Sequence, residues 1–188
     1  MLNSIIPILD TGAAAGGGNS YESIATFTVG SGGLSSLTFS SIPQTYKHLQ
    51  IRAIARNTRA ATGNSLLAFQ FNGVTSGYTY HFLTGDGTSA TAAGGTAQTY
   101  AYLGNQARAN ELANVFDPSV IDILDYTNTN KYKTCRGFSG QDTNGAGYVN
   151  FTSSLFQSTN AITQIDIYPA DSTAIVSQYS QFALYGVK

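Results

Sequence analysis

Charge is scarce in this sequence. Nine Lys and Arg face ten Asp and Glu, charged residues make up 10% of the 188 positions, and the net charge is -1. An average protein carries about 25% charged residues, so the polar surface has to be built from Ser, Thr, Asn, Gln and Gly. Solvent-facing helices, which draw on Glu and Lys, are disfavoured by such a composition. The lack of a basic excess argues against a duplex-binding protein, which must displace counterions from phosphates. Cys135 is the single cysteine, and that excludes an intramolecular disulfide framework. No apolar run approaches the ~20 residues that a membrane-spanning helix needs. Met1 to Asp10 have no basic segment and are interrupted by Pro7, so a secretory signal is not expected. These absences predict no nucleic-acid partner, no membrane and manufacture in a cytoplasm.

Hydrophobic residues at 42% and aromatics at 12% are enough for a packed core. Residues 1–20 differ from the rest. Ile5, Ile6, Ile8 and Leu9 form an apolar tip, followed by the Gly-rich stretch Thr11 to Gly18, whose composition is that of a linker. The segment reads either as a docking arm or as a disordered tail, and the Ile and Leu residues favour docking. Residues 21–188 form the domain.

Within the domain the dominant signal has period two, which means one buried and one wet strand face. Leu49, Ile51, Ala53 and Ala55 alternate with His48, Gln50, Arg52 and Arg56, and Ile54 alone breaks the rule. Leu67, Phe69 and Phe71 repeat the pattern and end on the turn Asn72-Gly73. Further strands are predicted over 98–103, 120–126, 131–138, 147–152, 163–168 and 181–187. Lys133 and Cys135 share one strand face, with Tyr132, Thr134 and Arg136 on the other. One short helix is expected within 105–115, and an extended surface loop over 85–97. Many short strands without βαβ alternation predict an all-β fold, an antiparallel jelly-roll-like β-sandwich.

Chemistry-bearing motifs are sparse. The histidines are His48 and His81, and neither stands in a metal-ligand spacing. Asp122 and Asp125 lie on opposite faces of a strand, so they do not form the opposed pair of a glycosidase with each other; long-range pairing with Asp86, Glu111 or Asp142 stays open. Gly85-Asp86-Gly87 and Asp142-Thr143-Asn144-Gly145 resemble calcium-loop fragments, but each has one Asp and no closing Glu, so they read as turns. His81, Asp86 and Asp142 are the residues to test first for a metal. Asn150-Phe151-Thr152 matches a glycosylation triplet inside a predicted strand and is discounted. Nothing assembles a catalytic, cofactor or metal site, so the expectation is a non-enzyme.

Three stretches carry a resemblance: Ser41-Ile42-Pro43-Gln44-Thr45-Tyr46-Lys47-His48-Leu49-Gln50-Ile51-Arg52, Asp125-Tyr126-Thr127-Asn128-Thr129-Asn130-Lys131-Tyr132-Lys133-Thr134, and the terminal Phe182-Ala183-Leu184-Tyr185-Gly186-Val187-Lys188. Together they resemble small β-rich virion structural proteins of tailed bacteriophages, over the span from Tyr21 to the last residue. The resemblance implies a location in the virion, either as capsid decoration (cement) or as a tail or fibre appendage, and brings no catalytic residues. The implied partners are sister subunits, in a homotrimer, and the major capsid protein or tail proteins; a host-surface glycan is the partner in the alternative reading. Tyr is an efficient contact residue. The expected interaction residues are therefore Tyr78, Tyr80, Tyr100 and Tyr102, together with the apolar tip.

Overall fold

The computed structural model describes residues 20–61 and 65–188. The apolar tip, Ile5, Ile6, Ile8 and Leu9, lies outside the described residues. Among those described the chain forms twelve strands and no helix: β1 (Tyr21–Thr28), β2 (Leu37–Phe39), β3 (His48–Ala55), β4 (Leu66–Phe71), β5 (Tyr78–Gly85), β6 (Ala90–Gln98), β7 (Ala101–Asn105), β8 (Asp117–Leu124), β9 (Lys133–Asp142), β10 (Gly147–Phe156), β11 (Ile165–Pro169) and β12 (Gln181–Val187). They build two antiparallel sheets packed as a sandwich, ordered β1-β12-β3-β8-β9-β10-β5-β6 and β2-β11-β4-β7.

The topology is that of a jelly roll with two inserted hairpins. With β5–β6 and β9–β10 set aside, the other strands pair first with last and inward from there: β1 with β12, β2 with β11, β3 with β8, β4 with β7. The β12–β3 and β11–β4 ladders join these pairs into the two sheets. This is the pattern of one long hairpin rolled up on itself, which buries one face of every strand. The inserted hairpins pair with each other through β10 and β5 and extend only the larger sheet.

The alternation in the sequence accounts for the core. Leu49, Ile51, Ile121, Ile123, Phe182 and Leu184 from the large sheet are fully buried against Leu67, Phe69, Phe71, Ile165 and Ile167 from the small one. Tyr78 closes one end, stacked on Phe156 with ring centroids 4.6 Å apart; its hydroxyl accepts from Phe71 N at 2.9 Å and donates to Val74 O at 3.0 Å.

The extension covers what would be an open edge. β7 ends the four-stranded sheet, yet all five of its residues are buried, because β9, β10 and β5 lie over it. The approach is close: a Cβ on Gly137 would stand 1.9 Å from Leu103 O. Where β9 and β10 cross β7 their inner residues, Gly137, Ser139, Asn150, Thr152 and Ser154, are therefore small or polar. Ser154 Oγ donates to Tyr102 O at 2.9 Å, and Asn150 Nδ2 donates to Thr84 Oγ1 at 2.7 Å and to Tyr102 Oη at 3.1 Å.

Two sequence-based expectations are corrected. The stretch 85–97 is not a loop: β5 turns at Asp86 and returns as β6. Asp86 Oδ1 accepts from Thr88 N and Ser89 N at 2.8 and 2.7 Å, closing the turn. β6 has nothing beneath it to bury, so its Ala, Thr and Gly residues show no alternation and only the ladder to β5 reveals it. Nor is there a helix within 105–115. The Arg56 guanidinium donates to the carbonyls of Leu112, Val115, Ala109 and Glu111, taking acceptors that helical hydrogen bonds would use.

Candidate interaction face and the buried polar cluster

The stretches that carry the resemblance meet at one end of the sandwich, where they act as structural joints. Tyr46 Oη donates to Glu22 Oε2 at 2.9 Å, and Glu22 also pairs with Lys188. Asp125 N donates to His48 Nδ1 at 2.9 Å; Lys47 Nζ lies 3.2 Å from Asp125 Oδ1, and Lys131 also bonds that carboxylate. The Lys131 and Lys47 contacts hold the Asp125 carboxyl below its ordinary range. Tyr126 Oη donates to Pro43 O.

Beside the turn of the β9–β10 hairpin the fold brings two carboxylates together, Glu111 and Asp117. Gln141 Nε2 donates to Glu111 Oε2 at 2.6 Å and to Asp117 Oδ1 at 3.0 Å. Tyr148 Oη donates to Asp117 Oδ2 at 2.8 Å, and Arg108 N and Nε donate to Glu111. Burial pushes the Asp117 carboxyl up to about 6, against the pull of the Tyr148 and Gln141 hydrogen bonds. A hollow of about 490 Å³ lies beside the cluster, lined by Arg108, Glu111, Leu112, Gln141 and Tyr148 among others. Asp117 exposes no surface, and its oxygens are occupied by donors, so in this arrangement it is not presented to a glycosidic bond. The cluster fastens the connection between β7 and β8 to β9 and β10.

Other candidate residues are also committed locally. Asp86 and Asp142 line one hollow at the tips of the two hairpins, but each turns back to its own backbone, Asp142 Oδ1 accepting from Asn144 N at 2.9 Å. Among the described residues no group of three His, Cys, Asp or Glu is placed to hold a metal ion. Burial raises the Cys135 thiol well above its ordinary range. Asn150, of the glycosylation triplet, is fully buried.

Of the expected interaction residues, Tyr78 and Tyr102 are fully buried. Tyr78 belongs to the core and Tyr102 to the seam under the extension, so neither offers a contact surface. Tyr80 and Tyr100 are half-buried, Tyr80 against Tyr102 and Tyr100 against Tyr168.

A contiguous row of exposed apolar residues lies instead on the outer face of the large sheet. Val120, Phe138, Phe151, Leu83 and Ala92 are direct cross-strand neighbours on β8, β9, β10, β5 and β6. Val120, Phe138, Phe151 and Leu83 are 39%, 46%, 57% and 51% exposed, and the two Phe rings are 4.8 Å apart. Val149, between Gly140 and Gly85, and Ile54, beside Pro118, extend the apolar surface on one flank. On the other flank Gln50, Asp122, Arg136, Ser153 and His81 form a polar row. Within it Gln50 Nε2 donates to Asp122 Oδ1 and Arg136 Nε to Asp122 Oδ2, both at 2.9 Å. The parity signal was present: Phe138 shares the wet face of Arg136, and Ile54 that of Arg52. Sequence alone does not show that these exceptions line up across strands.

Comparison with protein-family models, with curated proteins and with solved structures finds no match.

Proposed function

We propose that this chain is a structural protein of a tailed-bacteriophage virion, a capsid decoration protein that binds the lattice through the outer face of its eight-stranded sheet. The observation that carries the reading is the continuous apolar row Val120–Phe138–Phe151–Leu83, solvent-exposed across four adjacent strands. At ~4.8 Å per strand it runs about 14 Å. A surface of this kind, rimmed by polar residues, marks a protein interface. The role proposed is non-catalytic, since Glu111, Asp117 and Asp125 are engaged in joints and Asp86 and Asp142 in their own turns. The resemblance of the motifs supplies the virion context.

A tail or fibre-tip module that binds host-surface glycan is the second reading. Arg136 and Asp122 beside the two Phe rings favour it, since a sugar site combines an aromatic platform with polar groups. These two are already paired to each other, and the Val and Leu neighbours offer a sugar no hydrogen bonds, which ranks decoration first.

The experiment is reconstitution on particles that lack the protein, with copy number counted by cryo-electron microscopy. Hundreds of copies on the capsid, and loss of binding in Phe138→Ser and Phe151→Ser at unchanged melting temperature, support decoration. A dozen or so copies on the tail, or glycan binding that the same substitutions abolish, would replace it with the second reading.

A further inference from the structure

The large sheet ends on β6, whose far side pairs with nothing among the described residues. Natural proteins guard such edges with charge, Pro, bulges or brevity. β6 has nine residues, Ala90 to Gln98, with no charge and no Pro, and seven of the nine are exposed. Its irregularity is confined to one end, where the register shifts opposite Tyr78–Tyr80 and Gln98 Nε2 donates to Thr96 O at 2.8 Å. Neighbouring rings hold the strand to the sheet while leaving its edge open. A Cβ on Gly94 would stand 2.6 Å from His81 Cδ2, and one on Gly95 2.9 Å from Tyr80 Cε1.

We propose that β6 is a self-association edge, at which two copies of this chain pair β6 to β6 antiparallel about a twofold axis. Three observations choose a second copy as the occupant. Self-pairing brings no like charges together, because β6 has none. The regular run of β6, Ala90 to Gly95, before the register shift and the positive φ of Ala97, forms about five or six backbone hydrogen bonds in an antiparallel pairing, within the ~10 ± 5 of a standard interface. Pairing β6 to the opposite edge, β1, would leave a free edge on every added copy and build an open array, whereas β6 with β6 closes. A twofold axis normal to the sheet puts the outer faces of both copies on the same side. That would present two Phe138–Phe151 rows to one surface and add avidity to the proposed lattice contact. The pairing itself does not depend on the virion reading.

The test is sedimentation velocity of the full chain from low micromolar to near-millimolar concentration, with amide hydrogen exchange at both ends of the series. A dimer is expected, with exchange over 90–98 slowing as its fraction grows. The double variant Ala92→Lys, Thr96→Lys places charges on both sides of the dyad and should weaken association about tenfold or more without lowering the melting temperature. Phe151→Ser, away from the edge, should leave association unchanged. A monomer throughout, a trimer, a dimer whose 90–98 amides exchange as in the monomer, or concentration-independent protection of the edge in a monomer would overturn the proposal. So would undiminished association of the Lys variant, or its loss in Phe151→Ser. Failure of capsid binding with the dimer intact would count against the decoration reading alone.

Discussion

The ring of Tyr46 occupies the space that a side chain at position 186 would need: a Cβ on Gly186 would stand 2.3 Å from Tyr46 Cγ. The ring is held there from its far end, where the hydroxyl donates to Glu22, itself paired with Lys188. One strand start, one loop and the last strand are thus joined through a contact only glycine permits. Gly186→Ala is expected to cost about 1–3 kcal/mol, the usual range for overpacking. Adding Tyr46→Ala should recover part of that loss. Urea unfolding of the two single variants and the double variant measures the coupling; strict additivity would mean that the ring moves aside freely.

Ile51 and Leu184 face each other across the β3–β12 ladder, and both are fully buried. Either residue changed to Asp should cost about 4 kcal/mol or more, because an unpaired carboxylate would enter the core. Gln50 lies on the opposite face, as its parity predicts, but it is covered there and bonded to Asp122 and Arg52. Gln50→Asp therefore sets two carboxylates side by side and is not a neutral surface change. Asp122→Asn in the same chain should relieve it. Equal melting temperatures for Gln50→Asp with and without Asp122→Asn would rule out the repulsion.

Asp117 makes stability depend on pH. Its carboxyl sits near 6 in the fold, above the ordinary 3.8, chiefly through burial. The folded state then binds the proton more tightly than the unfolded chain. The contribution is fully present below about pH 4 and is lost as pH rises through about 6, on the order of 2–3 kcal/mol. Asp117→Asn should flatten this part of the stability curve. Tyr148→Phe, which removes a donor to the carboxylate, should move the midpoint upward. Chemical denaturation across this pH range reads both; an unchanged slope in Asp117→Asn would assign the pH dependence to another group.

Period-two alternation locates strands that have one dry and one wet face. β3, β9 and β12 were therefore legible, down to the shared face of Lys133 and Cys135. β6 was not, because an edge strand of Ala, Thr and Gly has two wet faces and no alternation. Tyr78 and Tyr102 looked like contact residues because Tyr serves both cores and interfaces; only the partners, Phe156 for one and Asn150 for the other, decide between the two. The exposed apolar row is hard to read from the sequence for a similar reason. Phe138, Phe151 and Leu83 are each a single exception on a wet face, and an isolated exposed apolar residue is ordinary. They acquire meaning through the β9–β10–β5 register, which depends on hairpins inserted at two distant points in the chain. The long-range meeting of Glu111 and Asp117 at Gln141 is of the same kind.

Lys133 gives the sharpest test of that inner face. Its side chain is fully buried, yet among the described residues no carboxylate bonds its ammonium. It donates instead to the carbonyls of Asn128, Lys131 and Thr159, at 3.2 Å for Lys131 and 3.0 Å for Thr159. These carbonyls lie in the turn before β9 and in the connection after β10, so one charge closes two loops at the end of the sandwich. Burial lowers the pKa of the ammonium. Lys133→Met keeps the packing of the stem and removes the donors, which leaves three carbonyls short of a partner. The expected loss is about 3 kcal/mol, with faster amide exchange over 126–132 and 157–162 than in the parent. Lys133→Ala removes the stem as well and should be worse. If Lys133→Met unfolds at the parent's urea concentration, water replaces the ammonium at no cost, and the two loops are held by their own turns.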